Sequence, residues 1–335
     1  MYKALVTAEV NIETLRNTIK DVEFDTAGYI VSHEVMESED LAKIIEPYDI
    51  LISEFETVTQ KVIEKAENLK LIICCRGGVK SVIDMKAAEK KHVCVMHNAG
   101  RNASAVSEIV MGYILDLCRN ISKSNHLIHE KKITSDKRMI PSEYKDTIWG
   151  LNDSSPYHTL RGKSPRLMTL GIVGFGNVGR ELAKKAEAFG MKILIYDPLD
   201  VAISRTENIK AVSFEELLKE SDVVSLHCPL TADNKDMMNA ETFSMMKDGA
   251  YFINAARGGL VDEDALFDAL VSGKLSGAAL DVVKKEPISN EYKLLDAPNL
   301  IITPHIAGAS DEVVYKGTEM VIHKLINYLG DERVM

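Results

Sequence analysis

Short apolar runs alternate with charged segments of helical period along the chain, and the alternation occurs twice. In the first array "KALVT", "YDILIS", "LKLIICC" and "HVCVMHN" read as strands, separated by "IETLRNTIK", "EDLAKIIE", "TQKVIEKAEN" and "IDMKAAEKK" as helices. A long helical segment, "SAVSEIVMGYILDLCRN", runs from Ser104 to Asn120, with Ser104 placed to cap it and Glu108 close to its first turn. The second array opens at "LMTLGIVGFG" and continues with strands at "KILIYDP", "SDVVSLHC", "GAYFINA", "SGAALDVV" and "NLIITP". Helices such as "FEELLKE" and "DEDALFDALVSG" lie between them. Most of these strands are apolar on both faces, which a sheet covered by helices on both sides requires. The expected fold class is α/β, with two doubly wound parallel-sheet domains, because 335 residues exceed the usual size of one hydrophobic core. Residues 130–165 break the regularity with both charge signs, Pro, Gly, Ser and the only tryptophan, Trp149, and read as an irregular insertion.

Composition narrows the function classes. A hydrophobic fraction of 46% and a charged fraction of 27% are ordinary for a soluble globular protein. The net charge of −10 argues against a general nucleic-acid binder, which needs clustered Lys and Arg, and favours a small-molecule partner. The N-terminal "MYKALVTAEV" lacks the pattern of a secretory signal, and no apolar stretch approaches the ~18 residues needed to cross a bilayer. A cytoplasmic protein without membrane insertion is expected. The cysteines Cys74, Cys75, Cys94, Cys118 and Cys228 form no CxxC pair, so buried reduced thiols and no metal are expected.

The most specific local signal is "LGIVGFGNVGRELAKKAEAFGMKILIYDP". An apolar strand leads into Gly174, Gly176 and Gly179, which permit a tight turn, leave room for a pyrophosphate and let helix and strand pack closely. The helix N-terminus supplies amides and partial positive charge to the phosphates. The next strand ends at Asp197, the position of a carboxylate that binds a ribose diol and repels a 2′-phosphate. NAD is favoured over NADP, with Arg180 the one feature pulling the other way. Three neighbouring glycines could also form a mere turn; the flanking strand, helix, strand and Asp argue against it.

Nucleotide binding does not define a reaction. Three polar residues downstream stand at or beyond the carboxyl ends of apolar strands, where open α/β sheets bind their ligands. Arg257, in "FINAARGGLVDEDAL", offers a fork for the carboxylate and carbonyl of an oxo acid, or alternatively a surface salt bridge. Glu286, after "AALDVVKK", taken alone reads as a solvated charge in a turn before Pro287. His305, in "NLIITPHIAG", taken alone reads as a structural histidine on a buried strand.

As an ordered set, "RGGV" at 76–79, "HNAGRNASAVSEIVMGYIL", "GIVGFGNVGRELA", "HCPLTADNKDMMN", "NAARGGLVDEDAL", "LDVVKKEP" and "TPHIAGAS" resemble the D-isomer-specific 2-hydroxyacid dehydrogenases over nearly the whole chain. The resemblance implies a Rossmann NAD-binding domain at 103–305 inserted in a flavodoxin-like substrate domain made of 1–102 and 306–335. It assigns His305 as the acid/base for hydride transfer between NADH and a 2-oxo acid, Glu286 as its partner, and Arg257 as the residue orienting the substrate. Gly77, Gly78 and Val79 are implied as the substrate loop, the amides of the last two holding the carboxylate. Cofactor contacts are implied at Asn177, Val178, Cys228, Pro229, Ala255 and Gly308, and at Asp281 near the nicotinamide carboxamide. A homodimer built partly on the 104–120 helix is expected by the same resemblance.

Departures from the family pattern bear on the substrate. Ser53 and Glu54 stand where the phosphoglycerate dehydrogenases of this family carry an Arg-Ser pair, and a carboxylate there repels a phosphoester. Lys80 stands where glycine is common, and Arg101 either recognises a second polar group or forms a structural salt bridge. The segment 131–160 is open to reading as a lid or a partner contact. Nothing after residue 335 leads us to expect serine feedback. Glu286, where formate dehydrogenases have glutamine, argues against that activity. The expected reaction resembles that of a glyoxylate or hydroxypyruvate reductase. The alternatives are a phosphoglycerate dehydrogenase-like enzyme and an NAD-sensing corepressor or scaffold with little turnover.

Overall fold

The computed structural model describes residues 1–134, 153, 155–199 and 208–332; Trp149 and most of the segment expected as an insertion lie outside the described residues. The chain divides into two compact units, Met1–Ala103 with Ala309–Met335, and Ser104–Gly308.

The first unit holds a parallel sheet of β1 (Tyr2–Val6), β2 (Val22–Thr26), β3 (Ile50–Ser53), β4 (Leu71–Cys74) and β5 (Cys94–His97), in the order β2-β1-β3-β4-β5. Successive side chains point to opposite faces of a strand, so each strand feeds two cores. Ala4, Val6, Ile50, Ile52, Leu71 and Ile73 pack with Val321, Leu325 and Leu329 of the last helix, Asp311–Glu332. Leu5, Leu51, Ile72 and Cys74 pack on the other face with Leu41, Val62, Ile63 and Ala88. β2 was not among the strands expected, because "VEFDT" buries only Val22 and Phe24 at the sheet edge and its acidic positions face solvent.

The second unit holds β6 (Thr169–Val173), β7 (Lys192–Tyr196), β8 (Ile209–Ala211), β9 (Val223–Leu226), β10 (Ala250–Asn254), β11 (Leu275–Leu280) and β12 (Leu300–Ile302). Their order, β12-β11-β10-β9-β6-β7-β8, is parallel throughout, with the winding reversing between β6 and β9. This is the doubly wound dinucleotide-binding order with one additional strand. Helix Asn177–Ala188 buries Gly179, Leu182, Ala183 and Ala186, a stripe of helical period, against Leu170, Ile172 and Ile193. Phe243 and Phe252 meet edge to face, 5.2 Å between ring centroids, in the core of the opposite face.

Three expectations are corrected at this level. The long helix is Ala103–Arg119, so Ser104 does not cap it; its hydroxyl instead donates to Glu108 Oε1 at 2.9 Å, one turn along. Asn120 adopts a left-handed conformation, φ 57°, and a separate helix, Ile121–His129, follows. Cys94 is exposed, because it lies on the edge strand β5 where no further strand covers it. Among the described residues no helix is long and apolar enough to cross a membrane.

Candidate active site

β6 delivers the chain into the glycine turn at the point where the winding reverses. Gly174 has φ +94°, and a Cβ there would lie 2.7 Å from the backbone nitrogen of Cys228, just past β9. A Cβ on Gly179 would lie 2.3 Å from the Gly174 carbonyl oxygen. A Cβ on Gly176 would meet no protein atom within 4 Å. Two of the glycines therefore serve the fold, and the third leaves space that no protein atom uses. Gly176 and Asn177 are exposed at the start of the helix and Val178 is half-buried, so the amides of the first turn, which lack partners within the helix, face that space. Asp197 closes the site. Its Oδ2 accepts from the Phe175 amide at 2.7 Å and its Oδ1 from Leu199 at 2.9 Å. Cys228, Pro229 and Ala255 follow β9 and β10 at the same edge of the sheet. These features fit a dinucleotide. His227, which sequence reasoning passed over, lies 2.8 Å by Nε2 from Ser225 Oγ, and desolvation lowers its pKa to about 3, so the ring is neutral at pH 7.

Past β10 the buried Asn254 folds its own loop. Its Oδ1 accepts from the Ala256 amide at 3.0 Å, and its Nδ2 donates to the Arg257 carbonyl at 2.9 Å. Arg257 is exposed, with Nη1 donating to the Ala256 carbonyl at 2.6 Å. The next residue has to be glycine, since a Cβ on Gly258 would lie 2.0 Å from the Val283 carbonyl carbon. The loop after β10 thus touches the loop after β11. There the Val283 amide donates to Glu286 Oε1 at 3.0 Å, and Glu286 Oε2 is 2.7 Å from His305 Nδ1. A carboxylate only accepts, so Nδ1 carries the hydrogen and Nε2 is left to exchange a proton. Partial burial pushes the Glu286 carboxyl up. The His305 hydrogen bond, the Val283 amide and the charges of His305 and Arg257 outweigh it and hold the carboxyl below the ordinary value.

His305 stands beyond the end of β12 and is exposed, not on the buried strand that "NLIITPHIAG" taken alone would give it. Its φ of 57° is left-handed, a conformation costing a non-glycine residue about 1–2 kcal/mol. Asp281, only 2% exposed, holds the turn. Its carbonyl accepts from the His305 amide at 2.9 Å, Oδ1 from Ile306 at 2.9 Å and Oδ2 from Ala307 at 2.8 Å. Oδ1 also accepts from Thr303 Oγ1 at 2.6 Å. Thr303 has spent its hydrogen on Asp281, so the Tyr113 hydroxyl, 2.5 Å away, donates to Thr303. Burial pushes the Tyr113 phenol up to about 12, which keeps it a donor. Gly308 follows this turn at the border of the unit. Asn254, Thr303 and Tyr113 were not among the candidates; Thr303 sits two positions before His305, but Tyr113 carries no local signal.

The first unit holds the remaining candidates. Gly77 and Gly78 are exposed and Val79 half-buried, in a loop after β4 whose Val79 carbonyl accepts from Val82 at 3.0 Å and Ile83 at 2.9 Å. Lys80 is exposed in the same loop. Arg101 forms a salt bridge, with Nη1 donating to Glu54 Oε2 at 3.1 Å and Nη2 to Glu54 Oε1. Burial pushes the Glu54 carboxyl up, against the charge and hydrogen bonds of Arg101 and the backbone of Glu9. Ser53 is fully buried. Among the described residues no cluster of His, Cys, Asp and Glu is arranged to hold a metal ion.

Residues 111–307 match the family model of the D-isomer specific 2-hydroxyacid dehydrogenase NAD binding domain. A hydroxypyruvate reductase from Thermotoga maritima is 37% identical over 304 residues, 90% of this chain and 91% of that one. A D-3-phosphoglycerate dehydrogenase from Archaeoglobus fulgidus is 34% identical over 323 residues, covering 96% of this chain and 55% of its own length. The crystal structure of D-lactate dehydrogenase from Aquifex aeolicus, complexed with NAD and lactic acid, aligns with a TM-score of 0.71 at 26% identity, over 98% of this chain and 96% of that one.

Proposed function

Because the chain belongs to the D-isomer-specific 2-hydroxyacid dehydrogenases, NAD-dependent enzymes that interconvert 2-hydroxy and 2-oxo acids, we propose that its own substrate is a small unphosphorylated or sugar-derived acid and that His305 is the acid/base. The 2.7 Å contact between His305 Nδ1 and Glu286 Oε2 carries this reading, since it leaves Nε2 as the proton-exchanging atom. Bound NADH supplies the hydride that reduces the substrate carbonyl. His305 donates a proton from Nε2 to the oxygen that becomes the hydroxyl, and takes it back in oxidation. Glu286 accepts from Nδ1 and fixes the ring and its tautomer. Arg257 pairs with the substrate carboxylate and polarises the carbonyl. In the first unit, the amides of Gly78 and Val79 are the proposed carboxylate-binding loop. Gly176, Asn177 and Val178 hold the cofactor's pyrophosphate and Asp197 a ribose diol, with Cys228, Pro229, Ala255, Asp281 and Gly308 at its remaining contacts.

NADH consumption with glyoxylate, hydroxypyruvate, pyruvate and sugar-derived 2-oxo acids tests the proposal. Turnover of at least one unphosphorylated acid, exceeding that of 3-phosphohydroxypyruvate, is expected. Silence across the panel with NADH still bound would favour an NAD-sensing scaffold. We further propose a homodimer, which light scattering on the eluting protein would report.

A further inference from the structure

We propose that the Glu54–Arg101 pair sets the charge class of the substrate, admitting 2-oxo acids whose only anion is the reacting carboxylate and rejecting those with a second one. The inference rests on the dehydrogenase reading above. β4 lies between β3 and β5, with Ser53 in register with Cys74 and Cys74 with His97. Glu54 is the first residue past β3, and Arg101 follows β5 in the loop that enters the helix at Ala103. The pair therefore spans the carboxyl end of the strand between them. That strand runs on through Cys75 and Arg76 into Gly77, Gly78 and Val79, the proposed carboxylate loop. Carboxyl ends of strands are where sheets of this kind bind ligands.

A guanidinium at this edge is a ready receptor for a carboxylate or phosphate, because its fork matches two oxygens. Here both arms are taken. The Arg101 side chain is 14% exposed and that of Glu54 only 3%, so the pair is held inside, away from screening water. A second substrate anion would have to displace the Glu54 carboxylate, leaving a buried charge without its counter-charge. It would also meet the like charge of Glu54 itself. Arg76, the guanidinium on that continuing strand, lies over the Phe55 ring, 5.6 Å from its centroid. A neutral hydroxyl on the substrate meets neither penalty.

The test compares kcat/KM of the full chain with NADH for hydroxypyruvate against oxaloacetate and 3-phosphohydroxypyruvate. Glu54→Gln keeps the side-chain shape and frees the Arg101 charge. The ratio is expected to move toward the second-anion substrates by at least about tenfold, and Glu54→Gln with Arg101→Gln is expected to cancel that gain. A pair that only staples β3 to β5 would lower all the rates together and leave the ratio unchanged, which overturns the proposal. If Glu54→Gln does not fold, competition against hydroxypyruvate in the unmodified enzyme decides. Oxaloacetate and 3-phosphohydroxypyruvate are then expected to compete at least about tenfold more weakly than pyruvate, and equal competition overturns the proposal. An unmodified enzyme silent toward every 2-oxo acid overturns the dehydrogenase reading together with this inference; an unchanged ratio overturns this inference alone.

Discussion

His305 Nδ1 and Glu286 Oε2 stand 2.7 Å apart, joining the turn after β12 to the turn after β11. The Val283 amide on Glu286 Oε1 holds the carboxylate from behind, so the imidazole is fixed in orientation and tautomer before any substrate arrives.

Removing the proposed proton-exchanging atom should separate chemistry from binding. His305→Asn is expected to lower kcat by about 10²–10⁴-fold, the usual worth of a positioned acid/base, while the NADH dissociation constant stays within a few-fold. Steady-state kinetics and fluorescence titration with NADH measure the two. Retained turnover would remove His305 from the mechanism.

The Glu286 carboxyl gives a pH dependence with a definite sign. Its folded pKa lies below the ordinary 4.5, so its contribution to stability is complete above that value and is lost as pH falls through the lower folded value. The thermal midpoint of the native chain should exceed that of Glu286→Gln at pH 7, and the gap should close below pH 4.5. The side chain is 37% exposed, so solvent screening keeps the gap small. A gap that widens in acid would contradict the assignment.

The glycines of the nucleotide turn should fail in different ways. Gly176→Ala is expected to fold with an unchanged thermal midpoint but to lose NADH affinity, because the added methyl meets no protein atom within 4 Å and occupies the proposed ligand space. Gly179→Ala drives a methyl to 2.3 Å from the Gly174 carbonyl oxygen and is expected to destabilise the unit itself. Differential scanning calorimetry with and without NADH distinguishes the two outcomes. Equal losses of stability would deny Gly176 a ligand role.

The turn bearing His305 should depend on a hydroxyl that touches neither His305 nor Glu286. Thr303→Val deprives Asp281 of a donor and Tyr113 of its acceptor, a loss of about 1–3 kcal/mol for buried polar groups left unpaired. Because Asp281 also binds the Ile306 and Ala307 amides, kcat is expected to fall more than the KM for the oxo acid rises. Thr303→Ser, which restores the hydroxyl, is expected to recover most of the rate.

Much of the candidate site was legible in the residue order. The spacing of Gly174, Gly176 and Gly179 before a helix, with Asp197 at the end of the next strand, follows from steric limits that act within a few residues. The fully buried strands were legible too, since a strand covered on both faces has to be apolar along its length. Edge strands such as β2 and β8 were not, because each pairs on one side only and keeps charged positions exposed, Glu23 and Asp25 in β2 and Lys210 in β8.

The sequence by itself determined the fold class, the nucleotide turn and the residue types able to carry the chemistry, because local sterics and hydrophobic period act along the chain. Only the tertiary structure decided which polar groups meet. Glu286 and His305 are separated by 19 positions, Glu54 and Arg101 by 47, and Tyr113 and Thr303 by 190. Hydrogen bonds act over about 3 Å of space, whatever the distance along the chain. The same histidine that reads as a core residue on an apolar strand stands exposed past the strand end, in a turn held by Asp281, with the Glu286 carboxylate at its ring.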